Sequence, residues 1–272
     1  MRRRLAPAEI KSLQMEILCS IHNFCVNNNI RYSLAYGTLL GAIRHKGYIP
    51  WDDDVDILMP RPDYEKFLKL YPGYNKNHTV QTYINDDSYY LAFAKVYDNR
   101  TELIVFPTRT GVFVDIFPVD GLPDSVELSR RYYKDKLKLI FNDILFTCKN
   151  NAYRPGNQII NSIKYVGKRL LYPSRKKAIK KLESMIDAYP FENSTYAMVV
   201  VDYGVKNIPT RFEKSLFEHY ITVPFEGHNF NVIKDYHYYL QIMYGDYMQL
   251  PPVEERVPGH AAPVYWKEGY KK

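Results

Sequence analysis

The fold is decided by one short stretch, Trp51-Asp52-Asp53-Asp54-Val55-Asp56-Ile57-Leu58-Met59. Its second half is apolar and is typical of a buried strand. Successive side chains of a strand point to opposite faces, so Asp52, Asp54 and Asp56 would share one face if the strand includes them. We therefore predict three converging carboxylates at the beginning of a core strand.

Carboxylates that converge repel one another unless a cation lies between them, and oxygen ligands suit Mg²⁺ or Mn²⁺. A solvated acidic turn is the ordinary alternative, but surface turns seldom run straight into a core strand. A calcium loop beginning at Asp52 is rejected on spacing. Its sixth residue would be Ile57 in place of Gly, and its twelfth would be Asp63 in place of Glu.

The residues before the acidic stretch predict a phosphate site. A short apolar strand is expected over Tyr32–Tyr36, and a short helix over Leu39–His45. Between them, Gly37 and Thr38 would present backbone amides and a hydroxyl at a helix N-terminus, which suits a phosphate. A plain helix cap is the alternative. A strand, a phosphate-binding helix start and a metal-binding strand follow one another in nucleotidyltransferase-like folds.

A more distant carboxylate is expected to complete the metal site, and Asp115 is the candidate. It lies among the apolar residues of 112–117, where a lone charge is costly unless it is paired or bound to metal. A salt-bridged aspartate at a strand end is the alternative. Asp98 and Asp120 lie near predicted turns and are weaker candidates.

The rest of the chain alternates predicted helices and strands. Helices are expected at Ala8–Asn28, Val126–Leu145, Ile159–Leu171, from an N-cap at Ser174 to Ala188, and at Tyr236–Tyr244. Strands are expected at Leu91–Tyr97, Thr101–Phe106, Gly111–Phe117, 199–201 and 221–223. This order predicts an α/β fold with a mixed-sheet core. Residues 1–124 would form that core with its N-terminal helix, 125–190 a basic helical region, and 191–272 a C-terminal part packing on the core.

Composition favours a soluble globular protein. Of the 272 residues, 46% are hydrophobic and 25% are charged. No apolar run approaches the roughly 18 residues that span a bilayer, and the basic N-terminus lacks the apolar core of a signal peptide. The three cysteines show no metal-site spacing and their number is odd, which fits a reducing compartment. We therefore expect a cytoplasmic protein.

The positive charge is local. The formal net charge is +7, yet residues 150–182 alone contain nine Lys or Arg and no Asp or Glu. The excess is therefore confined to one segment, and no nucleic-acid partner is expected. The segment could lie on an anionic membrane or a lipid-linked glycan, which would place the protein at the inner face of the membrane. A solvated helical face is the alternative.

Several stretches resemble one known family. Residues 36–57 are similar to the signature of the LicD family, bacterial phosphocholine transferases to which fukutin and fukutin-related protein are related. The resemblance continues in the segments 93–96, 114–118, 225–227, 244–248 and 250–252. It covers most of the chain except residues 125–191. The zinc-binding insertion of fukutin-related protein is not evident, because three scattered cysteines cannot supply it.

The resemblance implies a nucleotidyltransferase-like fold and transfer of a phospho-alcohol, such as phosphocholine, from a CDP-activated donor such as CDP-choline. The acceptor would be a hydroxyl of a cell-surface glycan, and CMP would be released. Carried over by position, the resemblance implies that Asp52, Asp54 and Asp56 bind the metal and that Asp115 is a further acid. It implies that Gly37 and Thr38 contact the donor phosphates. Arg44 and Lys95 would be the cations that bind the pyrophosphate. Surface salt bridges are the alternative for Arg44 and Lys95.

Two other functions remain open from the sequence. A true nucleotidyltransferase would leave the nucleotide on the acceptor and release pyrophosphate. A non-catalytic module that binds membrane or glycan would not need the acidic residues. Some of the 26 tyrosines could form a cage for a quaternary ammonium, although core packing is the commoner role.

Overall fold

A computed structural model of the chain describes residues 3–105, 108–145, 148, 174–199, 210–257 and 262–270. The predicted helix Ile159–Leu171 and the predicted strand residues Val200 and Val201 lie outside these ranges. Within them, each helix is too short or too polar to cross a membrane.

A seven-stranded mixed sheet forms the centre of the molecule. Five strands lie in the order β1–β2–β7–β4–β3, and β8 and β9 continue the sheet beside the second half of β7. Their bounds are Ser33–Leu34 for β1, Asp56–Pro60 for β2, His78–Gln81 for β3, Ala94–Asp98 for β4, Phe113–Leu122 for β7, Tyr196–Val199 for β8 and Phe212–Glu213 for β9. β2 and β7 run parallel, and the other neighbours are antiparallel. The predicted α/β fold with a mixed sheet is confirmed.

The central strand β7 is longer than predicted. The prediction ended it at Phe117, yet it continues through Pro118 to Leu122. On one side, β4 pairs with residues 113–116 and β8 with residues 119–122. Along β7, successive backbone N–H groups point alternately to β2 and to the side of β4 and β8. The Asp115 N–H points toward β2, so position 118, three residues later, faces the opposite side, in the gap between β4 and β8. A proline is tolerated there, since no ladder bond is lost.

Six helices accompany the sheet in the described ranges. They are α1 Pro7–Asn27, α2 Tyr36–His45, α3 Arg61–Leu70, α4 Val126–Lys138, α5 Arg175–Asp187 and α6 Tyr236–Tyr244, with π-helical turns at Leu139–Ile144 after α4. Two smaller sheets complete the fold. One is the hairpin of β10 Tyr220–Phe225 and β11 His228–Ile233, and the other joins β5 Thr101–Val105, β6 Thr108–Thr110 and β12 Tyr265–Trp266.

The predicted apolar face of α1 packs into the core. Ile10, Leu13, Ile17, Ile21 and Phe24 recur at the predicted spacings of three and four, and all are buried except Ile10, which is partly buried. Helix α3 was not predicted, because Pro62 was taken only as the end of a strand. Pro62 lies instead in the first helical turn, where a missing N–H removes no helical hydrogen bond.

Candidate active site

Two acids and one lysine lie side by side on three neighbouring strands. Asp56 of β2 is paired in register with Asp115 of β7, and Asp115 in turn with Lys95 of β4. The Lys95 ammonium forms an ion pair with the Asp115 carboxylate and lies 3.5 Å from the centroid of the Phe113 ring. The sheet thus brings together residues that are up to 59 positions apart in the sequence.

The acidic stretch differs from the predicted geometry. Residues 52–55 are loop, and the strand begins only at Asp56, so the expected alternation of Asp52, Asp54 and Asp56 along a strand was wrong. The loop turns Asp53 toward its neighbours instead. One carboxylate oxygen from each of Asp52, Asp53 and Asp54 lies within 4.8 Å of the others, close enough to hold one metal ion. The sequence reasoning missed Asp53, because a strand would direct it to the opposite face.

The clustered carboxylates are partly buried and repel one another, which raises the pKa of Asp52 and of Asp56. Burial and the charge of Asp54 raise the pKa of Asp52 to about 7. Burial, followed by the charges of Asp54 and Asp115, raises the pKa of Asp56 well above its usual range, and Lys95 only partly offsets this. A divalent cation would relieve this repulsion, and an oxygen-only donor set suits Mg²⁺ or Mn²⁺. The residues therefore fit the predicted metal, while the individual ligand roles stay predictions.

Helix α2 begins against the acidic loop. It starts at Tyr36, three residues earlier than predicted, so Gly37 and Thr38 lie in its first turn. A Cβ on Gly37 would lie 2.5 Å from Oδ2 of Asp52, so only glycine allows this close approach. The Thr38 hydroxyl is buried and accepts a hydrogen bond of 2.9 Å from the Asp56 backbone N–H. Thr38 therefore links the helix start to the metal-site strand.

Two distant elements hold the acidic loop in place. From α1, the Gln14 side-chain amide donates to the Asp53 carbonyl at 2.8 Å and accepts from the Tyr48 hydroxyl at 3.1 Å. From the tip of the β10–β11 hairpin, Glu226 accepts from the Tyr48 backbone N–H at 2.9 Å. A Cβ on Gly47 would lie 2.2 Å from the Glu226 carboxylate oxygen. The family motif at 225–227 was the sequence signal for Glu226, whereas Gln14 had none.

Arg44 lies at the end of α2 and faces the C-terminal part of the chain. Its guanidinium donates to the carbonyls of Tyr247 at 2.7 Å and Gln249 at 3.3 Å. Arg44 and Gly37 both line a cavity of about 530 Å³. Gly37, predicted to contact the phosphates, and Arg44, predicted to bind the pyrophosphate, thus border the same cavity. The other predicted cation, Lys95, is instead part of the ion pair with Asp115 on the sheet.

Asp98 and Asp120, the weaker candidates, are both neutralised. Asp98 is buried and forms an ion pair with Arg100. Asp120 lies inside β7, two residues before the strand ends, and it contacts Arg61 at 2.6 Å and the fully buried Lys136. Burial alone would raise the pKa of Asp120, but these two cations outweigh it and hold the pKa below its usual value.

Known proteins with similar sequences match the part of the chain that contains this site. The family model described as LicD/FKTN/FKRP, nucleotidyltransferase domain, matches residues 29–143, which include all eight predicted site residues. The Lipopolysaccharide cholinephosphotransferase LicD of Haemophilus influenzae is 34% identical over 269 residues, which cover 97% of this chain and 99% of that protein. An uncharacterized protein of Rickettsia typhi is 37% identical over 75 residues, 27% of this chain and 24% of its own length. Because the match to the Haemophilus influenzae protein extends over nearly the whole of both sequences, the chain belongs to the LicD family.

Proposed function

We propose that this protein transfers phosphocholine from CDP-choline to a hydroxyl of a cell-surface glycan and releases CMP. The observation that carries the proposal is the loop on which Asp52, Asp53 and Asp54 converge within 4.8 Å beside the start of α2. The Haemophilus influenzae relative, which is named for transfer of phosphocholine to lipopolysaccharide, supports this choice of donor group and acceptor class.

The chain's own residues would bind and orient the two substrates. A divalent cation held by the acidic loop would neutralise the donor pyrophosphate and favour departure of CMP. The amides of the first turn of α2 and the positive end of its dipole favour a phosphate near Gly37. Thr38 orients Asp56 through its backbone N–H. Lys95 holds Asp115 in an ion pair beside Asp56.

The transfer itself exchanges one phosphorus–oxygen bond for another. The acceptor hydroxyl oxygen attacks the phosphorus of phosphocholine, and the bond from that phosphorus to the CMP oxygen breaks. The hydroxyl proton passes to a carboxylate of the acidic loop, and the leaving CMP carries away the negative charge. A carboxylate of this loop that the cation does not saturate would be the acceptor of this proton.

We include in the proposal that the protein works in the cytoplasm at the inner face of the membrane. Most of the basic segment 150–182 lies outside the described residues, but its last residues, from Arg175 onward, belong to α5. This helix buries Ala178, Leu182 and Ile186 and exposes four lysines, Lys176, Lys177, Lys180 and Lys181. Such a cationic row suits an anionic lipid surface near a lipid-linked acceptor.

One product assay tests the proposed reaction. The protein is incubated with CDP-choline labelled in the choline methyl groups, lipopolysaccharide lacking phosphocholine, and Mg²⁺ or Mn²⁺. We expect label in the glycan and an equal amount of CMP. A parallel incubation replaces CDP-choline with CTP. Release of pyrophosphate there, with the nucleotide retained on the acceptor, would support true nucleotidyl transfer instead. A non-catalytic module would bind the glycan, and Asp54→Asn would not change that binding.

A further inference from the structure

The cavity beside the acidic loop has a wall of aromatic rings. Trp51 directly precedes Asp52 in the sequence, and Tyr244 and Tyr247 come from the end of α6 and the turn after it. The Tyr247 ring is buried, and its hydroxyl is 2.8 Å from Nδ1 of His237, which fixes the orientation of the ring. Tyr244 also lines the cavity and is 41% exposed. The three rings thus line one cavity together with Gly37, the residue that packs against Asp52.

One cation already lies against this wall. The Arg256 guanidinium is 5.5 Å from the centroid of the Trp51 ring, a distance typical of a cation–π contact. Two carboxylates, Asp246 and Glu255, also line the cavity and are exposed to it. Aromatic faces combined with carboxylates favour a weakly hydrated organic cation over an anion or a neutral alcohol.

We propose that this cavity is the subsite for the quaternary ammonium of the donor, held by Trp51 and Tyr244 with Asp246 and Glu255 around it. The inference rests on the proposed function and adds to it the residues that select the alcohol. None of the four is among the residues that the motifs assign to the metal or to the phosphates.

The charges along the cavity match the zwitterion phosphocholine. Arg44 and the amide-bearing start of α2 at Gly37 suit the phosphate, and they border the same space as the two carboxylates. A volume of about 530 Å³ lies within the usual range of roughly 300–1,000 Å³ for small-molecule sites. It leaves room for the headgroup and for part of the nucleotide, so one cavity can hold both charged ends of the transferred group.

Binding of a neutral isostere isolates the contribution of the positive charge. The probe is the CDP ester of 3,3-dimethylbutanol, in which carbon replaces the quaternary nitrogen without a change of shape. Calorimetric titration in the presence of Mg²⁺ should show that the unchanged protein binds CDP-choline roughly 3- to 30-fold more tightly than this isostere. The Tyr244→Leu variant and the double variant Asp246→Asn, Glu255→Gln should each lose most of this preference. Both should bind CDP as the unchanged protein does.

Matched controls lie next to these residues but outside the cavity. Tyr238→Leu changes an exposed tyrosine of the same helix, and Glu254→Gln changes the acid that precedes Glu255. Both controls should keep the full preference for CDP-choline. An unchanged preference in the cavity variants would overturn the subsite alone, since the donor would still bind. If the unchanged protein bound CDP-choline no better than a UDP-sugar, the donor assignment would fail, and the subsite with it.

Discussion

The backbone N–H of Asp56 donates its hydrogen bond to the side-chain hydroxyl of Thr38, 2.9 Å away. Asp56 is the first residue of β2, and Thr38 lies in the first turn of α2. This bond therefore joins the helix end at which we propose that the donor phosphates bind to the strand that follows the acidic loop. Its donor and acceptor are both buried, so no water can replace either partner without a rearrangement.

Removing the Thr38 hydroxyl should destabilise the protein and weaken donor binding together. Thr38→Val keeps the shape but leaves a buried N–H unsatisfied, which costs about 1–3 kcal/mol. Thr38→Ser keeps the hydroxyl and should retain most of the stability and affinity. Urea unfolding and calorimetric titration of CDP-choline measure the two effects. A valine variant as stable as the serine variant would show that the bond does not matter in solution.

The protonation of Asp52 predicts how metal binding depends on pH. Because the pKa of Asp52 is about 7 in the folded chain and lower in the unfolded chain, the folded state retains a proton between about pH 4 and 7 that the unfolded state has lost. Without metal, the stability contributed by this proton should be lost as the pH rises through that window. Mg²⁺ should replace the proton, so it should raise the melting temperature more at pH 8 than at pH 5.

Asp52→Asn is the control for this pH effect. The asparagine carries no titratable group, so the difference between pH 5 and pH 8 in the Mg²⁺-induced shift should shrink. Thermal unfolding monitored by circular dichroism, with Mg²⁺ or excess chelator, gives the Mg²⁺-induced shift of the melting temperature at each pH. An equal shift at the two pH values in the unchanged protein would argue against a metal on this loop.

Glu226 should act by positioning the acidic loop. Glu226→Ala removes the acceptor for the Tyr48 N–H and the contact over Gly47, so Asp52, Asp53 and Asp54 should lose their fixed spacing. Turnover should fall roughly ten- to hundred-fold, because small displacements in an active site are costly. Glu226→Gln retains an acceptor oxygen and should recover much of the rate at the same pH. Asn229→Ala, an exposed change on the same hairpin, should have no effect; equal losses in all three variants would point to general unfolding.

The buried ion group of Asp120, Arg61 and Lys136 should matter for stability. Lys136→Met removes one of the two cations that contact the buried Asp120 carboxylate, and an acceptor that loses its buried hydrogen-bond partner costs about 1–3 kcal/mol. Lys138→Met, two residues further on the exposed side of α4, should change stability by less than about 0.5 kcal/mol. Adding Asp120→Asn to Lys136→Met would leave the buried Arg61 without its acid and should lower stability further. Denaturant midpoints measure all three, and equal midpoints for the two lysine variants would contradict the expectation.

The lysines of α5 should bring the protein to anionic lipid. Each cation near such a surface contributes on the order of 1 kcal/mol, so reversal of the four exposed lysines to glutamate should strongly reduce sedimentation with phosphatidylglycerol vesicles. The control reverses four scattered exposed cations and has the same net charge: Lys69, Lys76, Arg109 and Lys234. It should bind nearly as well as the unchanged protein. Equal losses would mean that only net charge matters, and no loss would mean that α5 is merely solvated.

Much of the local structure could be predicted from particular residues. The spacing of Leu13, Ile17, Ile21 and Phe24 predicted α1 and the face that it buries. Tyr236–Tyr244 was predicted with the bounds that the structure has. Ser174 caps α5 as expected, since its hydroxyl accepts from the Lys177 N–H. These features depend on residues a few positions apart, which is why a sequence pattern contains them.

The sequence by itself determined that an acidic stretch precedes a core strand, that a Gly-Thr pair opens the helix before it, and that Asp115 lies within an apolar strand. Only the tertiary structure decided that Asp53 joins Asp52 and Asp54, because this depends on where β2 begins. It also decided that Asp115 faces both Asp56 and Lys95, which follows from the register of three strands. Glu226 and the Tyr244–Glu255 segment reach the site from nearly two hundred residues away. Contacts at that separation are set by how the sheet and hairpin pack, and no pattern of neighbouring residues encodes them.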